Sequence, residues 1–300
     1  MKILQIGGTG FLGSHIADRL INRNHELTII SRNPDNEMSF DKSKVIFIKG
    51  NILELDKLTI SERYDVLVYT AMPPFKPGHI TTKKFKYLEK ITRQYFENTI
   101  SFAKSLKCPL ILTSGASFET KENEIADETW IVARKGMAML GKCYDELIEK
   151  LKAEKSIPLI EMLPSQIYGK GGMFKKMIHM AEKGKLVLLG DGKNYLPRIH
   201  VEDCADAFVL AIEKLPIGKR FIVSDDESVS VKDFTQYFAK VFEVKYLIKI
   251  PKFILRLVVG KYVYQTLTMN TKVSNKLLKK ELGWTLKYPT FREGLKSLKM

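Results

Sequence analysis

Through the first half of the chain, short apolar runs alternate with longer stretches of helical period. The apolar runs Lys2–Ile6, Glu26–Ser31, Val45–Lys49, Asp65–Tyr69, Pro109–Thr113 and Ile157–Met162 predict strands. The amphipathic stretches Phe11 to Asn22, Lys83 to Leu106 and Arg134 to Lys155 predict helices among them. Strands rich in Val, Ile and Leu on both faces belong inside a sheet covered by helices. Crossovers between parallel strands are right-handed almost without exception, so this order predicts an α/β fold built on a doubly wound parallel sheet.

After Met162 the period loosens. Turn-rich segments at Tyr168–Gly172 and Gly190–Asn194 are followed by predicted helices at Glu202 to Leu215, Val231 to Val241 and Lys252 to Tyr264. No repeat or flexible linker divides the halves. We expect a sheet domain over 1–165 and a smaller C-terminal α+β substrate lobe over 166–300, packed on the first or interleaved with it. Ligands of open parallel sheets lie beyond the carboxyl ends of the strands, so a cleft is expected there.

Composition narrows the setting. A chain of 300 residues holds enough apolar sequence for a core without covalent staples. Cys108, Cys143 and Cys204 are widely spaced, form no CxxC, and read as reduced, buried thiols. The apolar run Ile248 to Gly260 is interrupted by Lys249, Pro251, Lys252 and Arg256 and falls short of the roughly 20 residues that span a bilayer. With no leader ahead of the strand at Lys2, a cytoplasmic location is expected. The net charge of +15 is scattered along the chain, so it reads as a solvated surface, with neither nucleic acid nor membrane expected as a partner.

Candidate chemistry begins at residue seven. Gly7, Gly8, Thr9, Gly10, Phe11, Leu12 and Gly13 follow an apolar strand and open an amphipathic helix. One glycine permits a tight turn, one lets the backbone approach a pyrophosphate, and one lets helix pack on strand. The N–H groups and positive end of the helix then face the phosphates, as in Rossmann-type dinucleotide sites. NAD-selective sites usually carry a carboxylate at the end of the second strand, whereas this chain has Ser31 and Arg32. A hydroxyl and a guanidinium suit a 2′-phosphate, so NADP is expected, with NAD as the alternative.

From here the sequence resembles the extended short-chain dehydrogenase/reductase family, the NAD-dependent epimerase/dehydratase-like proteins, over nearly its whole length. The likeness rests on Gly7–Gly13, on Gly50-Asn51-Ile52 at an adenine-contacting position, on Leu67–Ala71 and on Leu112–Ser117. Leu163–Gly169 and Arg198–Asp203 resemble two later signatures. It implies cofactor contacts from Asn51, Ile52, Thr70 and Ala71, and a homodimer through the two long helices.

The family's chemistry uses Tyr and Lys four residues apart on one helix face. By resemblance Lys142 is that lysine, holding the ribose, and the tyrosine position is Ala138. Tyr144 lies two residues past Lys142, about 200° around a helix, and cannot substitute from the same face. The family's serine falls at Ser114 or at Gly115, depending on register. Ser114 and Lys142 are therefore the candidate catalytic residues, and Ser114, Tyr168 and Arg198 the candidate substrate contacts. Leu163 stands where relatives often carry arginine, and the stiff segment Ala71 to Phe75 hints at a substrate less polar than a bare sugar.

The histidines have structural readings. His200 reads as a hydrogen-bonded residue at a strand-to-helix junction, His15 as surface, and His79 faces the expected cleft. His25 and His179 lack a carboxylate or cysteine neighbour at ligand spacing, so no metal is expected. The resemblance implies an NAD(P)-dependent oxidoreductase or epimerase acting on a small hydroxyl or carbonyl substrate, free or nucleotide-linked, with an atypical mechanism. The alternative is a non-catalytic dinucleotide-binding sensor, assembly subunit or RNA-binding protein.

Overall fold

In a computed structural model of the chain, residues 1–34, 40–73, 78–133, 135–154 and 156–299 are described. The first half runs β1 (Lys2–Ile6), α1 (Phe11–Asn22), β2 (Glu26–Ser31), β3 (Val45–Lys49), β4 (Val66–Tyr69), α2 (Thr82–Leu106), β5 (Leu110–Thr113), α3 (Lys142–Glu154) and β6 (Leu159–Pro164). The second half runs β7 (Gln166–Tyr168), α4 (Phe174–Glu182), β8 (Lys185–Leu189), β9 (Arg198–His200), α5 (Val201–Lys214), β10 (Arg220–Val223) and α6 (Val231–Val241). It ends with β11 (Tyr246–Ile250), α7 (Lys252–Thr268), α8 (Lys276–Leu282) and α9 (Phe291–Lys299).

Seven strands form one parallel sheet in the order β10-β6-β5-β4-β1-β2-β3. Alternation along each strand divides its apolar side chains between two cores. Ile3, Val66 and Ile111 join α1, α5 and α8 through Ile16, Leu20, Phe208 and Leu278, while Leu4, Leu67 and Leu110 meet α2 and α3 through Phe96, Ala103 and Ile148. This double cover explains why the strands read as continuous apolar runs. The cysteines are buried and unbridged, and burial pushes the Cys108 and Cys143 thiols up to about 11.

Strand β10 and helices α5 and α8 come from the second half yet complete the sheet and one of its helical layers. Helices α4, α6 and α9 pack around an aromatic cluster of Phe174, Phe234, Phe238 and Phe291, beside the small parallel pairs β8/β11 and β7/β9, while α7 packs through Tyr262 on Phe85 of α2. Helix α5 is capped by His200, whose Nδ1 accepts from the Glu202 N–H at 3.3 Å.

The sheet order reverses between β1 and β4: the chain first winds outward through β2 and β3, then returns to β4 and continues to the other edge. Such a switch point leaves a crevice at the carboxyl ends of the two strands. The turn Gly7–Gly10 and the residues Thr70 and Ala71 lie there, Thr70 N–H donating to the Ile6 carbonyl at 2.9 Å.

Candidate active site

Gly7, Gly13 and Gly10 of the first turn lack a side chain for different geometric reasons. Gly7 has φ +90°, and a Cβ there would stand 2.6 Å from the Ala71 nitrogen. A Cβ at Gly13 would lie 2.0 Å from the Gly7 carbonyl oxygen, so only glycine lets α1 pack this closely on the turn. Gly10 is different. It is exposed, and its missing Cβ would approach only the Gly7 carbonyl, at 3.2 Å. As the N-cap of α1 it has no side chain to bond the first helical N–H groups, which remain available to an anion. The residues present therefore fit a pyrophosphate-bearing dinucleotide.

Around this turn, Ser31 is buried with its hydroxyl 3.5 Å from that of Thr9 and accepting from the Asn33 N–H, while Arg32 is exposed. Asn51 caps the 3₁₀ segment Ile52–Lys57 by accepting from Leu53 N–H at 3.1 Å, and the Ile52 carbonyl accepts from Asn98 at 3.0 Å. Phe11 reaches away from the turn. Its ring fills the space over Gly169, Gly171 and Gly172, where added Cβ atoms would meet it at 3.0, 2.5 and 2.7 Å. Nothing in the spacing of these residues announced that contact.

The segment bearing Ala138 departs from the expected helix. Residues Gly136–Gly141 form a 3₁₀ segment and α3 begins only at Lys142, so Ala138 and Lys142 do not share one α-helical face. Gly136 adopts φ +63°, and α7 holds the segment in place. Gln265 Oε1 accepts from Gly136 N–H at 3.3 Å and Thr266 Oγ1 accepts from Met137 N–H at 2.8 Å. These α7 anchors carried no sequence signal. Both ends of the expected helix, Arg134 and Lys155, and the residues Pro74 and Phe75 of the stiff segment lie outside the described residues.

Lys142 is exposed at the start of α3, its Nζ 3.8 Å from Glu146, which also pairs with Arg93. Tyr144 turns inward against Phe96, ring centroids 3.9 Å apart, and burial pushes its phenol pKa up. Ser114 donates to Glu161 at 2.9 Å. Glu161 in turn pairs with Arg220 at 3.2 Å, in a groove between α3 and β10 at the edge of the sheet away from the glycine turn. Burial raises the Glu161 carboxyl above its ordinary range. A side chain at Gly115 would point into open space, with the Ser117 hydroxyl, 4.0 Å away, as its nearest neighbour. Ser117, not singled out in the sequence, thus offers a hydroxyl beside one of the two registers considered for the family serine.

The two candidates from the second half, Tyr168 and Arg198, face inward. Tyr168 is 1% exposed, its hydroxyl pressed against Gly294, where a Cβ would stand 2.0 Å away. Arg198 is buried, donates to the Leu196 carbonyl at 2.8 Å and lies 3.7 Å over the Phe234 ring. Burial lowers its pKa to about 10. It also pushes the neighbouring Asp225 up to about 8 and His200 down to about 4. The fold brings carboxylates to two other histidines: His25 meets Glu213 at 3.1 Å and His179 meets Glu182 at 3.6 Å. Among the described residues no three metal-type ligands gather.

A parallel sheet with its switch point at a glycine turn and an uncapped helix defines a Rossmann-type dinucleotide-binding protein. The chain belongs to the NAD dependent epimerase/dehydratase family, whose model matches residues 3–224, and so to the extended short-chain dehydrogenases/reductases, a class of NAD(P)-dependent oxidoreductases and epimerases. It is 28% identical to the decarboxylating sterol-4-alpha-carboxylate 3-dehydrogenase of Candida albicans, over 95% of this chain and 85% of that protein. The UDP-glucose 4-epimerase of Thermotoga maritima, solved with UDP-glucose, superposes with a TM-score of 0.82 at 17% identity, covering 100% of this chain and 97% of that one. A human epimerase family protein solved with NADPH gives 0.77 at 20% identity, covering 100% and 99%. A nicotinamide dinucleotide is thus the cofactor, and among the described residues no helix is long and apolar enough to cross a membrane.

Proposed function

We propose that this chain is an NADP-dependent oxidoreductase acting on a hydroxyl or carbonyl carbon of a small, predominantly apolar substrate. The open, uncapped start of α1 at the switch point carries the reading. Gly7 to Gly13 hold the pyrophosphate, Ser31 and Arg32 meet the adenosine end, Asn51 and Ile52 flank the adenine, and Thr70 and Ala71 border the nicotinamide half. Lys142 swings from Glu146 to the ribose. When bound, the dinucleotide supplies hydride to, or accepts it from, the substrate carbon.

The chain's own groups then have to place the substrate oxygen and handle its proton. With Ala138 at the tyrosine position and the Ser114 hydroxyl given to Glu161, Ser117 is the group we assign to orient that oxygen, and water relays the proton. Apolar character follows from the rim, where Met72 and Ile131 are exposed near the segments that border the site; Leu163 is buried against Phe118 and Ile222 and adds nothing to that rim. The sterol dehydrogenase among the relatives supports the same substrate class.

A second reading, a dinucleotide sensor without turnover, is favoured by Ala138. Titration with NADPH and NADH, following nicotinamide fluorescence and then its decay against apolar ketones and nucleotide sugars, separates the two. Binding with oxidation by apolar ketones is expected. Binding without turnover assigns the sensor role, and no binding removes both readings.

A further inference from the structure

Helix α7 has two unlike halves, divided at Gly260, where φ is +77° and the backbone is not helical. The second half is fixed to the body of the protein: Tyr262 stacks on Phe85 at 3.9 Å, and Gln265 and Thr266 hold the Ala138 segment. In the first half Leu255 is buried, but Phe253, Leu257 and Val258 are 69%, 74% and 57% exposed and Ile254 is 39% exposed. At helical spacing these four fall within an arc of about 140°. They form an apolar stripe that faces away from the core, the reverse of what a solvent-facing helix carries. Tyr246 and Ile248, exposed on one face of β11, lead into this helix through Pro251.

The charges that this segment itself carries have one sign. Residues 244–261 contain Lys245, Lys249, Lys252, Arg256 and Lys261 and no Asp or Glu. Lys252 pairs with Asp191 from the neighbouring turn. A contiguous exposed apolar patch marks an interaction surface, and its charge selects the partner. A second copy docked about a two-fold axis would set this basic patch against itself, bringing like charges together. An anionic surface with an apolar interior satisfies both the stripe and the basic rim.

We propose that the first half of α7 docks this protein on anionic lipid bilayers, with Phe253, Leu257 and Val258 inserted at the headgroup boundary and Lys249, Arg256 and Lys261 on the phosphates. The helix lies on the surface and does not span it. The proposal does not depend on the substrate, because vesicle binding is read without turnover.

The test is flotation of the full chain with phosphatidylcholine vesicles, with and without phosphatidylglycerol. Binding is expected with phosphatidylglycerol, weaker without it, and reduced by salt. Leu257→Asp should lower the partition at least about tenfold, since one large apolar side chain is no longer buried. Arg256→Glu should weaken binding to anionic vesicles only. Both variants keep NADPH binding by fluorescence, which shows that they fold and separates this result from that of the dinucleotide site. No flotation with phosphatidylglycerol, or flotation undiminished in Leu257→Asp, overturns the proposal. So does a dimer in analytical ultracentrifugation that Leu257→Asp disperses, which would give the face to a second copy.

Discussion

Gly13 and Gly10 lack a Cβ for different reasons, and their substitutions separate structure from binding. At Gly13 an added methyl meets the Gly7 carbonyl at 2.0 Å, so Gly13→Ala should destabilise the fold by roughly 1–3 kcal/mol, read as a lower urea midpoint. At Gly10 the added Cβ meets only the Gly7 carbonyl, at 3.2 Å, and the rest of the side chain lies on the anion side of α1. Gly10→Val should leave the urea midpoint near that of the parent while dinucleotide affinity falls by about a hundredfold or more in calorimetry. Retained affinity would displace the site from this turn. Arg32, exposed beside the committed Ser31, is the other residue whose role binding alone can reveal. Arg32→Asp should weaken NADPH much more than NADH, because a carboxylate repels the 2′-phosphate and suits a free ribose. An unchanged preference would return Arg32 to the solvated surface.

At the scale of elements, the α7 anchors make a sharp prediction. Thr266→Val removes the hydroxyl that accepts from Met137 N–H, leaving a donor unpaired at a cost of about 1–3 kcal/mol. Faster amide exchange confined to Gly136–Gly141, with a lower kcat, is expected; unchanged exchange would show that the segment holds its shape alone. That anchor also shows where sequence reasoning stops. Strands β1, β2 and β3 and helices α1 and α6 were legible to the residue, because period and apolar content are local properties. The start of α3 was not, since contacts from a helix more than a hundred residues away fix the backbone at Gly136. Strands β7, β8, β10 and β11 also escaped, and β9 was seen only as the strand end at His200. Their pairings join distant segments, as β10 joins β6 and β11 joins β8. Within the site, the glycine turn was readable because strand, turn and helix are contiguous. The inward aim of Ser114, Tyr168 and Arg198 was not, because Glu161, Gly294 and Phe234, which set it, are close only in space.

The molecule as a whole carries a buried acid whose titration should be visible in its stability. Asp225 is pushed up to about 8 by burial, against an ordinary value near 3.8. Between those values the folded chain holds a proton that the unfolded chain releases, so stability falls as pH rises through that window. Melting temperature should decline from about pH 4 toward pH 8, and Asp225→Asn should flatten that part of the profile; an unchanged slope would mean that other groups govern it. The two halves of the molecule also meet at Phe11. Phe11 begins the helix at the dinucleotide turn, yet its ring seats the glycine loop Gly169–Gly172 of the second half. A ligand that favours one placement of that loop therefore changes the work of ordering the turn, and thermodynamic reciprocity requires the dinucleotide to alter that ligand's affinity by the same factor. Calorimetry with the two ligands added in either order should return one coupling factor, and Phe11→Ala should bring it toward one.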